Sequence, residues 1–314
     1  MSVVRVTCKK FPAPYTKTNG IRRRDVSRRT MLRAIITVGA QRHSDVYSLG
    51  MRGFFHRFGV GLSAVSFLGH ATEGLCVDHR FHELDMSEKG AMSYWHGMAM
   101  AKIVAESELG IPWLAHVDKM RDCGALITSA TSRQRGDLVG RGKKNNWHVI
   151  EAKGRSNEYS DTLIASAKEQ SSSVTSINGK KPATCSACIT ALHTRPISVL
   201  LEDPPPKDDG EGERWEINTP GFFEQYYRGI KTYLGEFGIQ NKSIGNALFI
   251  TAPLMPIVRE YPDYPPMRYP EDWRLEIGLL KAIYDHPDQA PDAVADMGLV
   301  DSGKMGSDGI AIFG

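Results

Sequence analysis

The stretch GDLVGRGKKNNWHVIEAKG, Gly136 to Gly154, constrains the fold of this chain more than any other. Two short β-prone runs, Asp137 to Val139 and Trp147 to Ala152, flank Gly140 to Asn146, which is rich in Gly, Asn and charge. That pattern predicts a β-hairpin. In a strand, residues two apart share a face. Trp147, Val149, Glu151 and Lys153 therefore point one way, and His148, Ile150 and Ala152 the other. Pairing brings Asp137 to the same end of the sheet as Glu151. One hairpin then presents two carboxylates and an ammonium together.

That trio suits a hard divalent cation, Mg²⁺ or Mn²⁺, which takes oxygen ligands from one or two carboxylates, waters and phosphate oxygens. Asp137 and Glu151 are the expected metal carboxylates, and the Ala152 carbonyl a third oxygen. The cation lowers the pKa of water and neutralises charge growing on a phosphate. Lys153 orients the water or stabilises the transition state electrostatically. A competing reading makes Glu151 and Lys153 a cross-charge pair on a solvated strand face. The apolar residues on both faces of Trp147 to Ala152 argue instead for a buried strand with charges at its tip.

GDLVG, a turn, then WHVIEAKGR resembles the core of the PD-(D/E)XK nuclease superfamily, over residues 93–200 at most. Gly136 stands where the family pattern has Pro. The resemblance implies an α/β fold: a mixed central sheet of the restriction-endonuclease type, flanked by helices, with additions at both ends. It implies a metal-dependent nuclease with Asp137, Glu151 and Lys153 as catalytic residues. The next helix, expected over Asp161 to Ser173, offers Gln170 or Lys168 as an auxiliary contact; Gln170 is preferred. A helix ahead of the first core strand often adds an acid in such enzymes, and Glu106 is that candidate. The substrate implied is nucleic acid, DNA before RNA, in a restriction or anti-phage setting, with a homodimer or a defence-complex partner. Arg133, Arg135 and Arg155 are the expected nucleic-acid contacts. The alternative is a non-catalytic nucleic-acid-binding or assembly subunit that keeps the nuclease fold.

The rest of the chain is read around this core. Its 314 residues suffice for a large core, and no run of 18 or more apolar residues predicts a membrane span. A net charge of +3 does not by itself argue for nucleic acid. Five scattered cysteines fit a reducing, cytoplasmic setting better than a disulfide framework. The expected divisions are a basic N-terminal segment with added elements (1–90), a nuclease-like core (91–204) and a C-terminal extension packed on it (205–314). Arg22 to Arg24, Arg28 and Arg29 make either a phosphate-contacting arm or a solvated lead-in. The Arg28-Arg29 pair lacks a long apolar run and a cleavage site behind it, so export is rejected.

Ala34 to Val38 reads as a strand, and Phe54 to Leu68 as a strand or buried turn. Asp78 to Asp85 reads as a loop, whose His79 and His82 lack further ligands at zinc spacing. Ser93 to Leu109 reads as a helix capped by Ser93 and stopped by Gly110-Ile111-Pro112, and Trp113 to Val117 as the first core strand. Ile189 to Thr194 and Ile197 to Leu201 are expected strands. Cys185 and Cys188 form a lone CxxC, read as two incidental thiols. Glu202 to Gly212 is an expected linker, rich in Pro, Gly and acids. Helices are expected over Pro220 to Phe237 and Trp273 to Tyr284, and strands over Ala247 to Ala252 and Gly309 to Phe313.

Overall fold

The computed structural model describes residues 2–38, 51–129, 136–203, 212–237, 240–254, 275–297 and 305–314. The expected linker core, Arg133 and Arg135 lie outside the described residues. The fold is mixed α/β around a seven-stranded sheet. Its strands are β1 (Val3–Lys9), β2 (Gly20–Asp25), β5 (Trp113–His116), β7 (Leu138–Arg141), β8 (Trp147–Arg155), β10 (Thr184–Ala191) and β11 (Ser198–Glu202). The order is β2-β1-β11-β10-β8-β7-β5. The β1–β11 and β8–β10 pairs are parallel and the others antiparallel. The first two strands, from the segment ahead of residue 91, thus extend the sheet that holds the hairpin.

Two helices sandwich the centre of this sheet. Helix α4 (Met86–Val104) starts on a capping box, with the Asp85 side chain accepting from the Ser87 and Glu88 N–H groups. It therefore begins seven residues ahead of the predicted Ser93, which is buried mid-helix. It continues as a π turn, Ala105–Leu109, and ends on Gly110, whose φ of 66° is the left-handed conformation that glycine adopts without strain. Two glycines let α4 lie against the sheet. A Cβ on Gly154 of β8 would overlap the Ser93 carbonyl oxygen, and one on Gly97 would stand 2.5 Å from the Gly154 nitrogen. The even-numbered face of β8 is therefore the α4 face. Helix α6 (Asp161–Ser172), capped by Ser160, packs on β10 and β8 from the other side.

Several local expectations are corrected. Ala34 to Val38 is not a strand but part of α1 (Arg28–Thr37), whose N-cap Ser27 accepts from Thr30 N–H. Phe54 to Ser66 belongs to α2 (Met51–Ser66), and a strand, β3 (Leu68–Ala71), begins only after it, paired to β4 (Gly74–Val77). Both segments are buried on several sides, and a short apolar run of that kind carries no periodicity that separates helix from strand. Asp78 to Asp85 holds a helical turn, α3 (His79–Glu83). The expected helix over Trp273 to Tyr284 is instead β15 (Glu276–Leu280) followed by α8 (Lys281–Asp285). Leu279 and Leu280 pair with Ile250 and Phe249, so cross-strand burial outweighs helix propensity there.

The remaining elements close the molecule. Helix α5 (Val117–Asp122) follows β5, and β6 (Leu126–Thr128) pairs with β12 (Glu213–Ile217), which also pairs with β9 (Val174–Ile177). Helix α7 (Thr219–Phe237) buries Phe222, Phe223, Tyr226, Tyr227, Ile230 and Tyr233, a stripe at helical spacing. Phe222 and Phe223 meet Trp147 and Trp113 edge to face at 5.2 and 5.1 Å between centroids. Strands β13 (Gln240–Ile244), β14 (Ala247–Pro253), β15 and β16 (Ile310–Phe313) make an antiparallel sheet, and α9 (Ala290–Ala295) lies before its last strand. No helix among the described residues is long and apolar enough to cross a membrane.

Candidate active site at the open end of the hairpin

The hairpin forms as predicted, with Leu138 opposite Ile150 and Arg141 opposite Trp147. Asn145 takes the left-handed conformation in its turn, with φ 59°. At the other end the ladder is replaced by a reciprocal lock between side chains and backbone. The Asp137 N–H donates to Glu151 Oε2 at 3.0 Å, and the Ala152 N–H donates to Asp137 Oδ2 at 3.2 Å. In such a pair a residue's N–H and C=O face the same neighbour, so the Ala152 carbonyl also faces the Asp137 side. Lys153 Nζ closes an ion pair on Glu151 Oε1. Val117 N–H, at the start of α5, holds the Asp137 carbonyl at 2.9 Å. Asp137 is thus brought to Glu151 and Lys153 of the neighbouring strand.

Their environments differ. The Glu151 side chain is 1% exposed, whereas that of Lys153 is 29% exposed. Burial first, then the nearby Asp137 charge, pushes the Glu151 carboxyl up to about 8, against the pull of Lys153. Ionisation of Glu151 beside Asp137 would put more negative charge into this low-dielectric site than Lys153 offsets, and a bound cation would relieve it. The donor set is all oxygen, which fits Mg²⁺ or Mn²⁺ rather than a softer ion. Among the described residues, no group of three or more His, Cys, Asp or Glu side chains is gathered into a metal cage. Two carboxylates and a carbonyl would therefore leave the remaining positions to water and substrate oxygens, the usual arrangement for Mg²⁺.

The other predicted residues divide. Arg155 is exposed at the end of β8, on the face of Glu151 and Lys153 by strand alternation. Gln170 lies on α6, and its Oε1 is buried without a hydrogen-bond partner among the described residues. Nothing hydrogen-bonds it to the trio. Lys168, the other residue considered on this helix, is held by Glu202. Glu106 is not gathered with the trio. It lies in the π turn thirteen residues beyond Ser93, the α4 contact of Gly154, which is about 20 Å along a helix. Its carboxylate accepts from Ser307 N–H and Oγ at 2.6 and 2.8 Å and pairs with Arg33 at 2.9 Å. Burial pushes its pKa up, but Arg33 and Lys102 pull harder and hold it at about 2. Glu106 is therefore a structural anion.

Two further expectations resolve at this point. The basic N-terminal cluster is ordered: Arg22 to Arg24 lie on the edge strand β2, and Arg28 and Arg29 open α1. Arg22 and Arg24 both pair with Glu108, Arg23 donates to the Glu73 carbonyl and Arg28 to the Leu68 carbonyl. Cys185 and Cys188 are free thiols opposite Val149 and Ala152, so they point to opposite faces and cannot share a metal. Burial raises both thiols, Cys185 to about 12.

A row of residues escaped sequence reasoning. Glu151 is in register with Ala187, and Ala187 with Glu202, so the two glutamates share a face with one small residue between them. Glu202 is clamped by Lys10 at 2.7 Å and by Lys168 from α6, which identifies the α6 face as the one carrying Glu151. Only the parallel β8–β10 register, across a connection of nearly thirty residues, brings these glutamates into line. Compared with protein-family models, curated proteins and solved structures, the chain matches none of them.

Proposed function

We propose that this protein hydrolyses phosphodiester bonds of nucleic acid, with DNA as the expected substrate. The observation that carries this reading is the pairing of a buried Glu151 carboxyl, displaced to about 8, with Asp137 and Lys153 at the end of one hairpin. A buried acid displaced in this way beside specific charge partners is a candidate for chemistry. Asp137, Glu151 and the Ala152 carbonyl would hold Mg²⁺ or Mn²⁺. Bound there, the cation supplies charge neutralisation at the phosphate and a lowered pKa for water. Lys153 sets a fixed positive charge against the oxygen that accumulates charge as the bond breaks. Arg155, exposed on the same face, holds the phosphate backbone against this end of the sheet. The lock between Asp137 N–H, Glu151 and Ala152 N–H keeps both acids in place before substrate arrives, so little reorganisation is needed.

The test is nicking of supercoiled plasmid by the full chain in Mg²⁺ or Mn²⁺, beside Asp137→Asn, Glu151→Gln and Lys153→Ala. The expected result is cation-dependent cutting by the wild type and its loss in all three variants. Undiminished cutting by the two carboxylate variants would sink the assignment. A second reading, a binding subunit without catalysis, is favoured by the near-complete burial of Glu151. It predicts that wild type and Glu151→Gln shift DNA mobility equally, that Arg155→Ala weakens the shift, and that neither cation yields cutting.

A further inference from the structure

A second cluster of charge lies between α1, α2, α5 and α7 and shares no residue with the hairpin site. It is a cavity of about 40 Å³ lined by Phe54, Arg57, Lys119, Cys123 and Arg228, among others. Lys119 is 8% exposed, and its ammonium makes no hydrogen bond or ion pair with any described residue. A lysine side chain this deeply buried without a protein partner is rare. Among the described residues lining the cavity there is no Asp or Glu. Arg57 is buried beside it, with Nη1 donating to the Ile36 and Val38 carbonyls at 3.0 and 3.1 Å, so its guanidinium is fixed at the wall. Arg228, exposed on α7, adds a third at the rim. Burial first, and then Arg57, push the Lys119 ammonium down to about 7. The cavity thus gathers three basic side chains, opens to solvent and holds a Lys119 donor with no acceptor among the described residues.

We propose that this cavity binds a small oxyanion, the phosphate group of free phosphate or of a mononucleotide, on the Lys119 ammonium. A phosphate oxygen supplies the acceptor that Lys119 lacks, and a charged pair of that kind is about twice as strong as a neutral hydrogen bond. Two or more cations converging on one cavity select a multiply charged oxyanion over a halide. Phe54 and Ile230, on the same lining, offer an apolar wall to whatever is attached to the phosphate. Lys119 lies two residues beyond Val117, whose N–H holds the Asp137 carbonyl, so the two sites are joined through α5 while remaining chemically separate.

The experiment is calorimetric titration of the full chain with inorganic phosphate and, separately, with AMP. The wild type is expected to bind, and Lys119→Met to bind at least about tenfold more weakly, as loss of one charge-assisted contact dictates. Methionine fills the same volume without the buried charge, so the variant is expected to melt no lower than the wild type. Arg228→Ala, at an exposed rim position, is expected to weaken binding by about threefold, as a screened charge does. AMP binding tighter than phosphate would assign the site to a nucleotide; equal binding would assign it to the phosphate group alone. Absence of binding by both probes, or equal binding by wild type and Lys119→Met, overturns the proposal. Glu151→Gln is expected to bind like the wild type, which separates this outcome from failure of the nuclease reading.

Discussion

In cation-free protein, Glu151 makes stability fall as pH rises, and the size of the effect follows from its surroundings. Its carboxyl is pushed from an ordinary 4.5 to about 8 by burial and by Asp137. The sign is set by proton binding. Between those two values the folded state binds more protons than the unfolded chain, so the Glu151 contribution is fully present below pH 4.5 and is lost as pH rises through 8. At about 1.36 kcal/mol per unit, the displacement allows a swing of roughly 5 kcal/mol, a ceiling because the ion pair with Lys153 relaxes part of it. Glu151→Gln keeps the shape of the neutral acid and removes its titration. Urea unfolding at pH 5 to 9 in a chelator, wild type beside variant, isolates the difference. Mg²⁺ competes with the proton for the carboxylate, so it should stabilise the wild type chiefly above pH 7 and leave Glu151→Gln unmoved. Parallel pH curves for the two proteins would refute the argument, since they would mean that Glu151 ionises in the fold as freely as in water.

Other perturbations test the scaffold. Asp308 is fully buried between Arg33 at 2.9 Å and Lys102 at 3.2 Å and accepts from Tyr226 at 2.8 Å, so Asp308→Leu should cost about 3–5 kcal/mol in urea unfolding by stranding two cations. Glu106, held at about 2, stabilises the fold above pH 4.5 and loses that contribution as pH falls towards 2; acid unfolding of Glu106→Gln should show a shallower dependence across that window. Gly154→Ala, whose Cβ would overlap the Ser93 carbonyl oxygen, should destabilise by about 1–3 kcal/mol in thermal melts and lower any cation-dependent nicking, because relief requires β8 to move at Lys153.

The hairpin trio was legible in the sequence because its geometry is local. Period-2 alternation sets which side chains of Trp147 to Lys153 share a face, and a short Gly/Asn turn sets the register that brings Asp137 to Glu151. The stops and starts of helices were legible only where the signal was unambiguous, as at Gly110; Asp85 was passed over for Ser93 although both can cap. Tertiary packing decided the remainder. Ala34 to Val38 became helix because α2 and α4 cover it, a burial that no periodicity in a five-residue run records. Glu106 was drawn away from the hairpin by Arg33 and Ser307, partners 73 and 201 residues distant along the chain. The alignment of Glu151 with Glu202, and the lone ammonium of Lys119 facing Arg57, likewise arise where segments remote in sequence meet. Residue order determines local alternation and turn chemistry; which charges end up paired, and which are left bare, is decided by long-range contacts whose energies are summed only in the folded chain.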